Sequence, residues 1–381
     1  MTIHLHWYLP TNGDNRDIVG SGDGSQKTLL RDGFRKPSID YLSGVARAAE
    51  QLGFEAVLTP TGTWCEDAWI TTAALSALTS RLKFLVAFRP GLISPTLAAH
   101  QAATFQRVSG GRLLLNVVTG GDSVEQRRFG DHLDHDQRYA RTEEFLTVLR
   151  GVSGATEPFD FHGKHYDIEQ ARIPFEPYQP PAIFFGGASP SAERVAARTV
   201  DTYLAWGETP PQIAERLARV RKLAAEAGRT VSFGIRFHVL SRDTSELAWA
   251  EANRLIERID DARIEQTQRD LAATESVGQQ RMLALHGGDR RNLEIYPNVW
   301  AGYGLVRGGA GTAIVGSHTE VADRIAEYHD LGIDHFILSG QPHLEEAYHF
   351  AEGAGAELRR RGLVTPEKTT TEKTTTEGAG A

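Results

Sequence analysis

Short runs rich in β-branched and other apolar residues punctuate the chain at 3–9 (IHLHWYL), 54–59 (FEAVLT), 83–88 (KFLVAF), 113–118 (LLLNVV), 182–185 (AIFF), 202–206 (TYLAW), 232–240 (SFGIRFHVL) and 335–338 (HFIL). Runs of this length and composition predict strands. Between them apolar positions recur with helical period, as in SIDYLSGVARAAEQLG, SPTLAAHQAATFQRVSG, PPQIAERLARVRKLAAEAG and HTEVADRIAEYHDLG, several opening on Ser or Pro and closing on Gly. Strands alternating with helices predict parallel strands joined by crossover helices. Eight such units is the count of a closed α/β barrel of the (β/α)8, or TIM, type, and the scarcity of charge in the strands suits a sheet covered on both faces. A doubly wound open sheet is the alternative.

Some segments exceed what such units need. Residues 11–37 are rich in Gly and Asp, 120–135 are polar, and FHGKHYDI within 158–181 reads as a hairpin. The stretch 241–317 is too long for a plain connection; it holds helical pieces (SELAWAEANRLIERIDDARIEQTQRDLAA) and a glycine-rich run, RGGAGTAIVG. Long segments of this kind in a compact domain serve as lids or binding loops, or else are disordered. The end, PEKTTTEKTTTEGAGA, has no large apolar residue. Residues 1–363 therefore read as one barrel domain with a lid at about 241–317, and 364–381 as a structureless tail.

Composition narrows the function. Of 381 residues, 40% are hydrophobic and 24% charged, enough apolar material for a sizeable core. With 41 basic against 49 acidic residues, a net charge of -8 and no basic run, the chain lacks the footprint of a nucleic-acid binder. The one cysteine, Cys65, has no partner for an internal disulfide, MTIHLHWYLP lacks the pattern of a secretion signal, and no apolar stretch approaches membrane-spanning length. The expected address is cytoplasmic.

In a barrel, chemistry gathers at the C-terminal ends of the strands. Those ends supply Asn12, Cys65, Arg89, Asn116, Thr119, Gly187, Ser189, Trp206, Ser339, Gln341 and His343, a set rich in anion-binding groups. The run SFGIRFHV is unusual: alternation puts Phe233, Ile235, Phe237 and Val239 on one face and Gly234, Arg236 and His238 on the other. If the bulky face meets the helices, Arg236 and His238 look into the barrel, where a charge needs an anionic ligand or a carboxylate. The segment FFGGASPSAERVAAR offers glycines and then a serine opening a helix, which suits either a phosphate or an ordinary cap. No strand is followed by GxGxxG and no GxxxxGK[ST] occurs, so FMN in a barrel is a better expectation than a nicotinamide or P-loop site. His132 and His135, among acidic neighbours, read as a solvated loop rather than a metal site. Cys65 stands where a helix begins, a position that favours a thiolate, although an inert small residue is the commoner reading.

The blocks PTGTWCEDAW, RLKFLVAFRP, NVVTGG, FGIRFHV, SVGQQRMLALHGG, LVRGGAGTAIVG and LSGQPHLEEAY, in order and spread over about residues 3–350, resemble flavin-dependent alkanesulfonate monooxygenases of the bacterial luciferase-like family. The resemblance implies a two-component system in which a separate NAD(P)H-dependent FMN reductase delivers reduced FMN. With dioxygen, the enzyme would then convert an organosulfonate to an aldehyde and sulfite. A sulfonate is anionic at every physiological pH, and guanidinium matches it with forked donors. By resemblance Arg236 holds the sulfonate or developing negative charge, His238 donates a proton or orients, Arg307 sits on a closing lid, and His343 and Cys65 complete the catalytic set. Ser189 with the Gly187 and Ala188 backbone would take the FMN phosphate together with Tyr139, while Asn116 and Thr119 would face the ring or ribityl chain and Trp206 the pocket. Homo-oligomerisation is implied in the same way.

Two positions depart from the family pattern, Gln341 in place of a tyrosine and Asn12 in place of a histidine. An amide both donates and accepts, which extends the expected substrates to hydroxyl-bearing sulfonates such as a sulfosugar. Rival readings are a sulfone monooxygenase, a deazaflavin enzyme working by hydride transfer, and a non-enzymatic flavin or sulfonate binder.

Overall fold

The computed structural model describes residues 2–18, 33–173 and 178–365. Eight parallel strands form its centre: β1 (His4–Tyr8), β2 (Ala56–Thr59), β3 (Lys83–Phe88), β4 (Leu113–Val117), β5 (Ile183–Gly186), β6 (Thr202–Trp206), β7 (Ser232–Arg242) and β8 (His335–Ser339). Each pairs with the next, β8 pairs with β1 and β6 with β7, so the ring closes. The open-sheet alternative falls with that closure. Helices begin where small polar residues can satisfy their first N–H groups: Ser38 caps Ile39–Gln51, and Ser94 caps Pro95–Ser109 with its hydroxyl accepting from Leu97 N at 3.1 Å. The second of these ends on Gly110 in the left-handed conformation, φ 69°.

Strand periodicity divides the core. Outward residues such as Phe233, Ile235, Phe237 and Val239 pack in the layer between strands and helices. Inward residues Tyr8, Leu58, Leu85, Phe184, Leu204 and Ile337 plug the barrel axis. Each such apolar side chain withdrawn from water contributes about 1.5–3 kcal/mol. At the N-terminal end a polar floor surrounds the axis, with His6 Nε2 3.0 Å from His335 Nδ1, and Glu55 taking both His4 and Lys83.

The segment after β7 is folded. Helices Ser245–Glu257 and Asp261–Ala272 pack with Trp300, Tyr303 and Leu305 around a second apolar core, and a third helix, Val277–His286, follows them. TAIVG, read above as part of a glycine-rich loop, is a strand over Ala313–Ser317 that pairs in parallel with the far half of β7, from His238 to Arg242. Gly308, Gly309 and Gly311 before it and Gly316 within it hid a strand whose partner is already present. The FHGKHYDI hairpin forms as Phe159–His162 against Asp167–Ala171. Residues 366–381 of the tail and 19–32 of the Gly/Asp-rich stretch lie outside the described residues. Among the described residues no helix is long and apolar enough to cross a membrane.

Candidate active site

Two chambers adjoin at the C-terminal ends of the strands. The inner one, about 220 Å³, runs from the barrel axis at Arg236 and Ile337 to the start of the helix Pro190–Thr199. The outer one, about 420 Å³, lies under the insertion and includes Arg307, Gly308 and Gly309. Val118, Gly120, Gly121, Trp206 and Ser276 line both, so Trp206 stands at the partition.

One end of the inner chamber is built for an anion. Ser189 caps the Pro190–Thr199 helix, its hydroxyl accepting from Ala192 N at 3.2 Å, and Gly187 and Ala188 bring their backbone to the wall. A Cβ on Gly187 would stand 2.5 Å from Ala192 Cβ and 3.0 Å from Tyr139 Oη, so the close backbone approach requires glycine. Tyr203 Oη donates to the Gly187 carbonyl at 2.6 Å and holds the turn. A helix start with a tyrosine and glycine backbone suits a phosphate. His135 joins it: His135 and Tyr139 share one face of the helix His135–Gly154, with ring centroids 4.8 Å apart, and both line the chamber. This residue was set aside in the sequence as loop polarity, although its spacing of four from Tyr139 was a usable signal. Asn116 and Thr119 line the same chamber nearer the strands. Thr142 donates to the Arg138 carbonyl at 2.8 Å, so in the 3.1 Å contact of the two hydroxyls Thr119 donates and keeps its lone pairs.

At the barrel axis, Arg236 and His238 do face inward. Arg236 donates to Ser339 Oγ at 2.7 Å and to the carbonyls of Phe237 and Ile337, and its guanidinium lies 5.0 Å from the Tyr8 ring centroid. Among the described residues no carboxylate pairs with it, which removes the structural ion pair weighed above. Burial lowers its pKa to about 10, leaving it cationic at neutral pH. His238 is 5% exposed, stacks on Tyr303 with centroids 3.7 Å apart, and is held well below the ordinary histidine pKa, first by burial and then by Arg236 and Arg307. Burial and the two arginines therefore favour the neutral imidazole over the charged one.

The remaining nominated residues divide. Arg307 is half-buried in the wall of the outer chamber, and its Nη1 donates to Gln341 Oε1 at 3.1 Å. Gln341 is fully buried and its Nε2 donates to the Asp17 carbonyl at 2.8 Å. That corrects the reading of Gln341 as a group offered to substrate hydroxyls: both ends of its amide are used inside the protein, one of them on Arg307. His343 is 2% exposed, stacks on Tyr8, and places Nδ1 2.8 Å from Asp14 Oδ1. An ionised carboxylate only accepts, so Nδ1 carries the hydrogen. Asp14 also accepts from the His343 backbone N–H and from Tyr41 Oη, and sequence reading missed it because its partners are remote in the chain. Asn12 is partly buried with Oδ1 lacking a partner, and stands outside the walls of both chambers. Cys65 is likewise outside them, in a turn ahead of the helix Ala68–Ser76 that Asp67 caps. Its thiol is pushed up to about 12 by burial and lies near the Pro60 and Gly62 carbonyls, which agrees with the commoner, inert reading of this cysteine rather than with a thiolate. Among the described residues no group of three His, Cys, Asp or Glu side chains is arranged to hold a metal.

In closed parallel barrels active sites sit at this C-terminal mouth, where Arg236 faces inward and the glycine turn meets a helix start. The chain belongs to the luciferase-like monooxygenase family, whose model matches residues 4–335, a family of flavin-dependent enzymes. Its fold is similar to that of a riboflavin lyase solved with modified FMN and riboflavin, at TM-score 0.78 and 20% identity over 96% of this chain and 93% of that one. A long-chain alkane monooxygenase matches at TM-score 0.76 and 18% identity, over 96% and 93%. An EDTA monooxygenase from Chelativorans sp. BNC1 matches at TM-score 0.74 and 21% identity, over 97% and 96%.

Proposed function

We propose that this protein is the oxygenase of a two-component system: with reduced FMN from an NAD(P)H-dependent reductase and with dioxygen, it converts an organosulfonate to an aldehyde and sulfite. The observation that carries the reading is Arg236, a half-buried cation in the chamber wall whose neighbours are a hydroxyl, two carbonyls and an aromatic face. A guanidinium desolvated in this way is stabilised by an anion, and a sulfonate offers one at any physiological pH.

The cradle at Gly187, too narrow for any side chain, with His135, Tyr139 and Ser189 around it, fits the phosphate of FMN. Bound there in reduced form, the flavin supplies the electrons and the site of dioxygen activation. The chain's own residues do the rest. Ser189 and the Gly187–Ala188 backbone bind the phosphate; Asn116 and Thr119 orient the remainder from the strand ends. Arg236 and Arg307 hold negative charge from the two sides of Trp206. Arg307, on the insertion, excludes water from the chamber, which oxygen chemistry on a flavin requires if the oxidant is not to be lost as hydrogen peroxide. Asp14 fixes the Nδ1–H form of His343.

Sulfite release from a panel of sulfonates, with reduced FMN supplied by any reductase, tests this under air and under nitrogen. Sulfite that requires air is the expected result; flavin oxidation with no sulfite from any sulfonate overturns it and moves a sulfone substrate ahead.

A further inference from the structure

We infer that Tyr8 is a further substrate-contact residue: its phenol donates a hydrogen bond to the anionic group that Arg236 and Arg307 hold, and with them selects a sulfonate over a carboxylate; this rests on the desulfonation reading above. Tyr8 ends β1 and belongs to the apolar plug on the barrel axis. Its ring is fixed by two neighbours, the Arg236 guanidinium 5.0 Å from its centroid and the His343 ring, stacked on it at 5.3 Å. The hydroxyl, by contrast, is free. Among the described residues it has no hydrogen-bond partner, and unlike the phenols of Tyr166, Tyr178 and Tyr303, which also lack one, it is not sealed from solvent. A hydroxyl held in place by its ring, bonded to nothing and still accessible, is a donor available to a ligand.

The same holds for one edge of Arg236. Nη1 donates to the Phe237 and Ile337 carbonyls and Nη2 to Ser339 Oγ, while Nε has no partner among the described residues and is not sealed in either. Arg236 and Arg307 act on each other as like charges, and both act on the Tyr8 phenol, so the three groups lie within electrostatic range of one another. Among the described residues no carboxylate pairs with either arginine. Burial pushes the phenol up to about 12, so it keeps its proton and can donate at every physiological pH. The three come from separate elements: Tyr8 from β1, Arg236 from β7 and Arg307 from the insertion. A sulfonate presents three oxygens in a tetrahedral array and meets donors from three directions, whereas a planar carboxylate of the same charge has two. Removing the phenol should therefore cost a sulfonate more than a carboxylate. Released sulfite also has three oxygens, so the test separates product from substrate.

Calorimetric titration under nitrogen, with reduced FMN present, measures the contact using propane-1-sulfonate, butyrate and sulfite as probes. Tyr8→Phe keeps the ring and removes only the hydroxyl. Its affinity for propane-1-sulfonate is expected to fall about tenfold, the factor one hydrogen bond to a charged group sustains, while that for butyrate changes by less than about twofold. Because the hydroxyl bonds to nothing in the protein, the unfolding temperature should not move. No sulfonate binding in the parent, a sulfonate affinity that survives the substitution, equal losses for sulfonate and butyrate, a loss confined to sulfite, or a lowered unfolding temperature would each overturn the contact. Sulfite release from propane-1-sulfonate under air keeps the two readings apart. Sulfonate binding lost in Tyr8→Phe with no sulfite formed by the parent supports the contact and overturns the desulfonation; sulfite formed equally well by both proteins overturns the contact and leaves the desulfonation standing.

Discussion

Ser339 Oγ lies 2.7 Å from His238 Nδ1, and the hydrogen between them belongs to the serine. The ring also donates to the Ala310 backbone, which takes the one N–H of a neutral imidazole, so Nδ1 accepts from the serine and the ring is the Nε2–H tautomer, while the same hydroxyl accepts from Arg236 Nη2. One buried hydroxyl thus sets the orientation of both inward-facing groups of β7. Ser339→Ala should cost about 1–3 kcal/mol in urea unfolding, because it leaves a buried guanidinium N–H and an imidazole nitrogen unpaired. Ser339→Thr, which keeps the hydroxyl, should recover most of it. A stability equal to the parent's in the alanine variant would show that the bridge contributes nothing.

Asp14 carries a second prediction, with its sign set by the pKa. Burial pushes this carboxyl up, but His343, Tyr41 and the His343 backbone N–H outweigh it and the net shift is downward. A carboxylate with a depressed folded pKa stabilises the fold above its unfolded value of about 3.9 and loses that contribution as pH falls through the folded value. Asp14→Asn should therefore be less stable than the parent at pH 7, by about 1–3 kcal/mol, with the difference shrinking in acid. Denaturation at neutral pH and near pH 3 checks it; a pH-independent difference would assign the loss to packing.

The barrel floor responds to pH in the same direction through bases. His6 is lowered to about 4 and His335 to about 2, in both cases chiefly by burial. Such histidines cost nothing above the unfolded value of about 6.5, and the unfolded chain binds more protons as pH falls below it. Stability should drop between pH 6.5 and pH 4, and His6→Gln should flatten that slope. His4, raised by its hydrogen bond to Glu55, works in the opposite sense and keeps the net slope below the sum of the two buried rings.

The glycine cradle offers a test of cofactor binding that needs no turnover. Gly187→Ala places a methyl 2.5 Å from Ala192 Cβ, closer than van der Waals contact. On the proposed reading the backbone must then retreat from the FMN phosphate, and FMN affinity, read from quenching of flavin fluorescence, should fall at least about tenfold, or about 1.4 kcal/mol. Unchanged affinity would move the phosphate elsewhere.

Arg307 and Gln341 should fail together. Arg307→Ala is expected to let flavin oxidise while sulfite per flavin falls by about tenfold, the loss of one charge-assisted contact. Gln341→Leu removes the acceptor that holds Arg307, and should lower the same ratio and raise hydrogen peroxide. The double variant should be no worse than the arginine variant alone. Additive losses would mean that the two residues act separately.

The strands were legible because a barrel strand is short, apolar and flanked by helical period, and the inward face of SFGIRFHV followed from alternation alone. Ala313–Ser317 was not, since the glycines before it and Gly316 within it mimic a loop and only the far half of β7 makes it a strand. The cradle at Gly187 and Ser189 could be read locally, because its parts are contiguous. Ser339 and Asp14 could not: the first meets Arg236 across 103 residues and the second meets His343 across 329, and no local spacing records such a meeting. Gln341 was misplaced for the same reason, its residue type suggesting a pocket contact while its neighbours are Arg307 and Asp17.

β7 serves two sheets in series. From Ser232 to Arg236 its one side pairs with β6, and from His238 to Arg242 that same side pairs with Ala313–Ser317. A minimal barrel engineered by trimming the insertion would leave Val239–Arg242 with bare N–H and C=O groups beside an apolar stretch, an open edge that templates pairing between molecules. Shortening this protein is therefore a route to aggregation unless a replacement strand covers that edge.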